Sequence, residues 1–186
     1  MPELYLFGGP NGAGKTTIAL ELLPVLGCRQ FLNADAIARA LSPFDVDAVA
    51  FQAGVLMMKR LRKIAESEED FASESTLAAR AWAPFIQDCK ARGYKFNLIY
   101  VWLPSADLAV ERVKARVLSD GHNIPEATIR RRYEAGLKNL RELYLPLADS
   151  WRIYSNESET TLIAQGEAGE YDIHIPLLWE KVRGQK

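Results

Sequence analysis

Apolar positions along the chain recur with two periods, and the points where one gives way to the other mark out strands and helices of an α/β protein. Leu4 to Phe7 reads as a strand, and after a glycine-rich turn Ile18, Ala19, Leu22 and Leu23 recur at helical spacing. Pro24 and Gly27 interrupt that helix, and Arg29 to Asn33 predicts a short second strand. A short helix from Ala36 to Leu41 is broken by Ser42-Pro43. Asp45 or Asp47 starts the next, whose apolar positions Val49, Val55, Leu56, Met58 and Leu61 run toward Ile64. Phe71 to Glu74 predicts a third strand, and Leu77 to about Arg92 an amphipathic helix. Lys95 to Leu103 is the longest strand-like apolar run, as expected for a central strand of a parallel sheet covered on both faces by helices. Two further helices are predicted, from Leu108 to Leu118 and from Pro125 or Glu126 to about Leu143, with a loop between them at 120–125. Trp151 to Tyr154 predicts a fifth strand, Tyr171 to Ile175 a last one at an edge and open to antiparallel pairing, and Leu177 begins a terminal helix.

Composition narrows the class. With 186 residues, 48% of them hydrophobic, the chain fills one core and reads as a single domain over 1–186. A formal charge of −1 offers no general attraction for nucleic acid or an anionic membrane. Cys28 and Cys89 form no CxxC pair and read as reduced thiols, and His122 and His174 lie in no zinc motif. No apolar run reaches the roughly eighteen residues of a membrane span, and the chain begins a strand without a signal-peptide pattern, so the expected location is cytoplasmic.

The chemistry is concentrated where the first strand meets the first helix. Gly9, Pro10, Asn11, Gly12, Ala13, Gly14, Lys15 and Thr16 satisfy GxxxxGK[ST], with Thr17 at the helix start. Such a loop turns backbone N–H groups toward phosphate and the helix after it adds its dipole. Lys15 adds a point charge and the Thr16 hydroxyl a ligand for Mg²⁺, so ATP and Mg²⁺ are the expected cofactors. Asp35 and Glu74 fall at the carboxyl ends of strands, where parallel sheets bind ligands. Asp35 suits contact with Mg²⁺ or an acceptor hydroxyl, the favoured reading because it follows Lys15 by twenty residues on the next strand, and a helix cap is a compatible alternative. Glu74 suits a sugar or nucleoside hydroxyl, or a water on Mg²⁺. Arg112 and Arg116 share a helix face, Arg132 lies beyond the loop, and 108–143 reads as a mobile helical lid that carries cations to the phosphates. Asn156 ends the fifth strand, where fold analogy suggests a loop over the base.

Together GGPNGAGKTT, NAD at Asp35, SESTL from Ser73 to Leu77, ERVKAR, GHNIPEATIRRRY and IYSN resemble the zeta-toxin-like P-loop kinases, in blocks spread over roughly residues 3 to 156. The resemblance implies a three-layer core of nucleoside-monophosphate-kinase type. It also implies ATP-dependent phosphorylation of a small-molecule hydroxyl, in the characterised toxins that of a UDP-activated amino sugar such as UDP-N-acetylglucosamine. By the same likeness Lys15 and Thr16 hold ATP and Mg²⁺, Asp35 accepts the hydroxyl proton, and Glu74 and Thr76 hold the substrate. Arg112 looks like the first transition-state arginine, and the second is open among Arg116, His122 and Arg132; His122 is also a substrate-binding candidate. The family's toxins pair with a small helical antitoxin, and they are usually longer than this chain. Competing readings are a P-loop ATPase or switch, for which DxxG and NKxD are missing, a polynucleotide end kinase, which wants a continuous basic groove, and a nucleotide-binding interaction protein without catalysis.

Overall fold

The computed structural model describes residues 1–117 and 124–184. Strands β1 (Glu3–Gly8), β2 (Gln30–Leu32), β3 (Phe71–Ser75), β4 (Lys95–Trp102), β5 (Ser150–Ser155), β6 (Thr161–Glu167) and β7 (Glu170–Ile173) form one sheet in the order β2-β3-β1-β4-β5-β6-β7. The strands from β2 across to β5 pair in parallel, with Phe7 of β1 opposite Glu74 on one side and Ile99 on the other. β6 and β7 add antiparallel. The helices are α1 (Lys15–Val25), α2 (Ala34–Leu41), α3 (Val46–Glu66), α4 (Trp82–Ala91), α5 (Ala106–Val117), α6 (Glu126–Asn139), α7 (Leu145–Leu147) and α8 (Pro176–Arg183), and a π-helical turn, Leu140–Tyr144, joins α6 to α7. Helices cover the parallel sheet in a three-layer α/β arrangement of the P-loop kinase kind.

The central strands are apolar on both faces because both are covered. Leu4, Leu6 and Phe7 of β1 and Phe96, Leu98, Tyr100 and Val101 of β4 are buried. Each such side chain contributes roughly 1.5 to 3 kcal/mol of hydrophobic burial. Parallel strands joined by crossovers bring their carboxyl ends to one edge, which collects Gly8, Leu32 and Ser75 beside the loops that lead out of them.

Several elements depart from the expected pattern. Pro24 lies inside the last turn of α1, which continues to Val25, so it does not stop the helix. α2 starts at Ala34 and is capped by Asn33, whose side-chain oxygen accepts from the N–H groups of Asp35 and Ala36; Asp35 therefore sits in the first turn and is not the cap. α3 is capped by Asp45 and buries Ala53, Met57, Leu61 and Ile64, while Val55 and Leu56 turn to solvent. The helix expected from Leu77 begins only at Trp82. The carbonyls of Leu77, Ala78 and Ala79 are taken instead by Asn139 and Tyr144, and Leu77 adopts φ 57°, which costs about 1 to 2 kcal/mol for a residue with a side chain. β6 had no counterpart in the pattern, because only Ile163 and Ala164 of its apolar residues are buried and acidic residues flank it. β7 is the antiparallel edge strand that the apolar run near Tyr171 suggested.

Candidate active site

The turn between β1 and α1 is shaped by what presses on it. A Cβ on Gly9 would lie 2.4 Å from the carbonyl oxygen of Val101 in β4, so only glycine lets the loop pass the sheet so closely. Gly14 caps α1 in the left-handed region, φ 88°, with no side chain closing the helix end. The first helical bond is the one from the Ile18 N–H to the Gly14 carbonyl, 3.1 Å, which leaves the preceding N–H groups of Lys15, Thr16 and Thr17 without helical partners. This is a ready site for an anion. Asn156 holds the loop from the far side: its Nδ2 donates to the Ala13 carbonyl at 2.8 Å and its backbone N–H to that of Trp102 at 3.2 Å. Its amide thus supports the loop's shape.

Lys15 is buried, and its Nζ donates to the Pro10 carbonyl at 2.9 Å. Burial pushes its pKa below the ordinary lysine value; the Glu74 and Asp35 carboxylates oppose that shift, and the Arg116 and Arg132 guanidinium groups add to it. The Thr16 hydroxyl donates to Glu74 Oε2 at 2.7 Å across the β1–β3 edge. Around these groups lies a cavity of about 470 Å³ lined by residues of the loop from Asn11 to Thr17, by Asn33, Asp35, Ala36 and Arg39 of the β2–α2 junction, and by Glu74, Arg112 and Arg116. Four cations, Lys15, Arg39, Arg112 and Arg116, face two carboxylates there, although the whole chain carries −1. The cavity is thus cationic in a slightly acidic protein, as a polyphosphate requires. A larger concavity, about 570 Å³, lies at the sheet's opposite end, but its Lys90 and Lys95 are already paired with Asp149 and Glu167.

The predicted site residues divide into those that meet in the cavity and those that do not. Lys15, Thr16, Thr17, Asn11, Gly12, Gly14, Asp35, Glu74, Arg112 and Arg116 line it. Arg112 also donates to the Glu157 carbonyl at 2.7 Å. Arg132 stands outside the lining, half-buried on α6, yet near enough for its charge to act on Lys15. Its neighbour Arg130 is tied to Asp107 and Glu126, which leaves Arg132 as the better-placed cation of the run. Thr76 does not line the cavity either, and its hydroxyl turns to the Ala78 N–H at 3.5 Å. His122 lies outside the described residues. Arg39 is a lining residue that the sequence reading passed over; the signal was its position four residues after Asp35, one turn along the same helix face.

The donors fit a magnesium nucleotide. Mg²⁺ takes hard oxygen ligands, usually one or two carboxylates together with substrate phosphates, and the Thr16 hydroxyl and Glu74 carboxylate provide such oxygens beside the anion site. Among the described residues there is no group of three or more His, Cys, Asp or Glu that could hold a metal ion. Asn11 Oδ1 is buried without a hydrogen-bond partner in the loop, a polar atom left for a ligand or water to satisfy.

The zeta toxin family model matches residues 1–168. The chain belongs to the zeta toxin family. Among solved structures it is similar to AvrRxo1-ORF1:AvrRxo1-ORF2 complexes, with TM-scores of 0.81 for one with sulphate ions and 0.77 for one with ATP, at 19% identity over 98% of this chain and 64% of the other. This zeta toxin family member therefore spans about two thirds of the length of that relative, 64%. The PezAT chromosomal toxin-antitoxin system of Streptococcus pneumoniae gives a TM-score of 0.71 at 17% identity, over 97% of this chain and 78% of that one. An uncharacterised protein of Haemophilus influenzae is 27% identical over 131 residues, 70% of this chain and 92% of its own length. The likeness of these solved structures covers 97–98% of the chain, and so takes in both the parallel core and the antiparallel strands. Among the described residues, no helix is long and apolar enough to cross a membrane.

Proposed function

We propose that this zeta toxin family member is an ATP- and Mg²⁺-dependent phosphotransferase that moves the γ-phosphoryl group to a hydroxyl of a small molecule. The observation that carries the reading is one cavity in which the phosphate loop, the Thr16–Glu74 pair and the Asp35 carboxylate all meet. Lys15 and the free N–H groups at the start of α1 bind the nucleotide phosphates. Bound at Thr16 with Glu74 nearby, Mg²⁺ supplies charge neutralisation to the phosphate oxygens. Asp35, released from capping by Asn33, orients the acceptor hydroxyl and takes its proton as it attacks. Arg112, Arg116 and Arg132 answer the charge that spreads over the transferring group, carried by α5 and α6, the described helices of the proposed lid over 108–143. Glu74 and Thr76, with His122, stay on the acceptor side of the proposal.

The acceptor is a UDP-activated amino sugar or another sugar or nucleotide. The cationic excess of the cavity supports an anionic molecule of that kind beside ATP. A small antitoxin-like protein is the proposed partner, supported by the PezAT toxin-antitoxin system among the similar structures, and the proposed location is the cytoplasm. Purified protein incubated with γ-labelled ATP and a metabolite extract tests the reading: label should pass to a soluble hydroxyl compound with wild type and not with Lys15→Ala. Release of inorganic phosphate alone, or ATP held without turnover, would replace it with an ATPase or a binding protein.

A further inference from the structure

Arg132, Gly136 and Asn139 recur at i, i+4 and i+7 on α6 and so lie along one face of that helix. At Gly136 this face presses on the chain just after β3: a Cβ there would come within 2.4 Å of the Thr76 carbonyl oxygen. One turn on, the buried Asn139 donates through Nδ2 to the carbonyls of Leu77 at 2.8 Å and Ala78 at 3.1 Å. The Tyr144 hydroxyl takes the carbonyl of Ala79 at 2.6 Å. Leu77, at φ 57°, is kept in a backbone conformation that its side chain disfavours, with its N–H held by Ser75 Oγ at 3.1 Å. The segment seized in this way is the direct continuation of Glu74, which touches Thr16 of the phosphate loop. A continuous path of close contacts therefore runs from α1 through β3 to α6.

Arg132 sits one turn before the point of closest approach. It is half-buried, and among the described residues it makes no hydrogen bond or ion pair, unlike Arg130 beside it. A half-buried guanidinium without a carboxylate calls for an anion. We infer that Gly136 and Asn139 are positioning residues that set where Arg132 stands over the transferring phosphoryl group, an inference that rests on the phosphotransferase reading above. Gly136 sets the depth at which α6 lies on the β3 exit, and Asn139 fixes its rotation and register there. The nucleotide itself is held by other groups, in the loop and α1. The clamp therefore acts on the transition state and leaves ground-state nucleotide binding alone.

The test needs no knowledge of the acceptor. Affinity of the full chain for MgADP is compared with its affinity for MgADP plus aluminium fluoride, a mimic of the phosphoryl group in transfer. Arg132→Ala, Asn139→Ala and Gly136→Ala should each leave MgADP binding within about twofold and weaken the aluminium fluoride complex about tenfold or more. The double variant Asn139→Ala/Arg132→Ala should bind that complex no more weakly than Arg132→Ala alone, because the two changes remove one contribution. If Asn139→Ala melts below the assay temperature, Gly136→Ala and its double variant with Arg132→Ala decide the matter. Equal weakening of both complexes, or losses that multiply in the double variant, would overturn the inference by making the clamp a general packing feature. A wild type that gains no affinity from aluminium fluoride overturns the phosphotransferase reading, and the inference with it.

Discussion

The two sides of the cavity are built in opposite ways. The phosphate side is made of backbone wedged against a sheet: Gly9 against Val101, Ala13 held by Asn156, Lys15 buried on Pro10. The side proposed to meet the acceptor includes the exposed side chains Asp35 and Arg39 on α2, and the α2–α3 hairpin leaves Leu41, Phe44, Phe51 and Val55 open to solvent. Phe44 is fully exposed, whereas Phe7 and Phe71 beside the loop and in β3 are wholly buried. In the proposed phosphotransferase, phosphate binding is thus preorganised by the fold, and recognition of the acceptor is left to side chains that can change without disturbing it.

The sharpest way to break that contrast is Lys15→Ala. It should abolish nearly all transfer, by about a thousandfold or more, while the protein stays folded, since the ammonium is buried at a cost in the empty protein. Phosphoryl transfer measured beside circular dichroism checks both halves, and full activity in a folded variant would remove Lys15 from the chemistry. On the acceptor side, Asp35→Asn should keep ATP affinity and melting temperature and lower transfer by about a hundredfold or more. Since Asn33 carries the cap, activity within about threefold of wild type would leave Asp35 with no more than a first-turn charge at the end of α2.

Lys15 also gives the phosphate side a pH signature. Its folded pKa lies below the ordinary lysine value, so the empty protein loses this charge at a lower pH than the unfolded chain does. The group's contribution to stability accordingly rises as pH climbs through the folded pKa and levels off at the unfolded one. Bound polyphosphate favours the ammonium, so at alkaline pH, between the empty and bound pKa values, ATP binding should take up a proton. Calorimetry in buffers of different ionisation enthalpy reads this directly; heats independent of buffer throughout the alkaline range would place the lysine away from the phosphates. The smallest expected effects lie on the open hairpin. Asn33→Ala should cost about 1 kcal/mol through the lost cap, and Phe44→Ser less than about 0.5 kcal/mol, both read by denaturant titration. A larger loss at Phe44 would mean that the hairpin is less open than its exposure indicates.

The same contrast explains what the sequence disclosed. The phosphate loop was legible because glycine spacing, lysine and threonine act through local backbone geometry, and the parallel core was legible because β4 is apolar on both faces. Asp35 could be read as a site carboxylate or as a cap, and only the placement of the first helical turn decides for Asn33, whose oxygen takes the N–H groups of Asp35 and Ala36. The stretch after Leu77 has helical spacing, and only Asn139 and Tyr144, more than sixty residues away along the chain, draw its carbonyls out of a helix. Arg39 is hard to single out because its one mark, the spacing of four from Asp35, is shared by many exposed arginines on short helices.

The π-helical turn at Leu140–Tyr144 has a consequence for the rod formed by α6 and α7. Such a turn holds one residue more than an α-helical turn, so the residues beyond it are rotated by about 100° relative to the stripe that precedes it. Asn139, just before the turn, and Tyr144, its last residue, both reach the chain after β3 although they stand five positions apart, a spacing that would put them on roughly opposite sides of a regular α-helix. The extra residue acts as a phase corrector, keeping Asn139 and Tyr144 on one surface that only one of them could face along an uninterrupted α-helix.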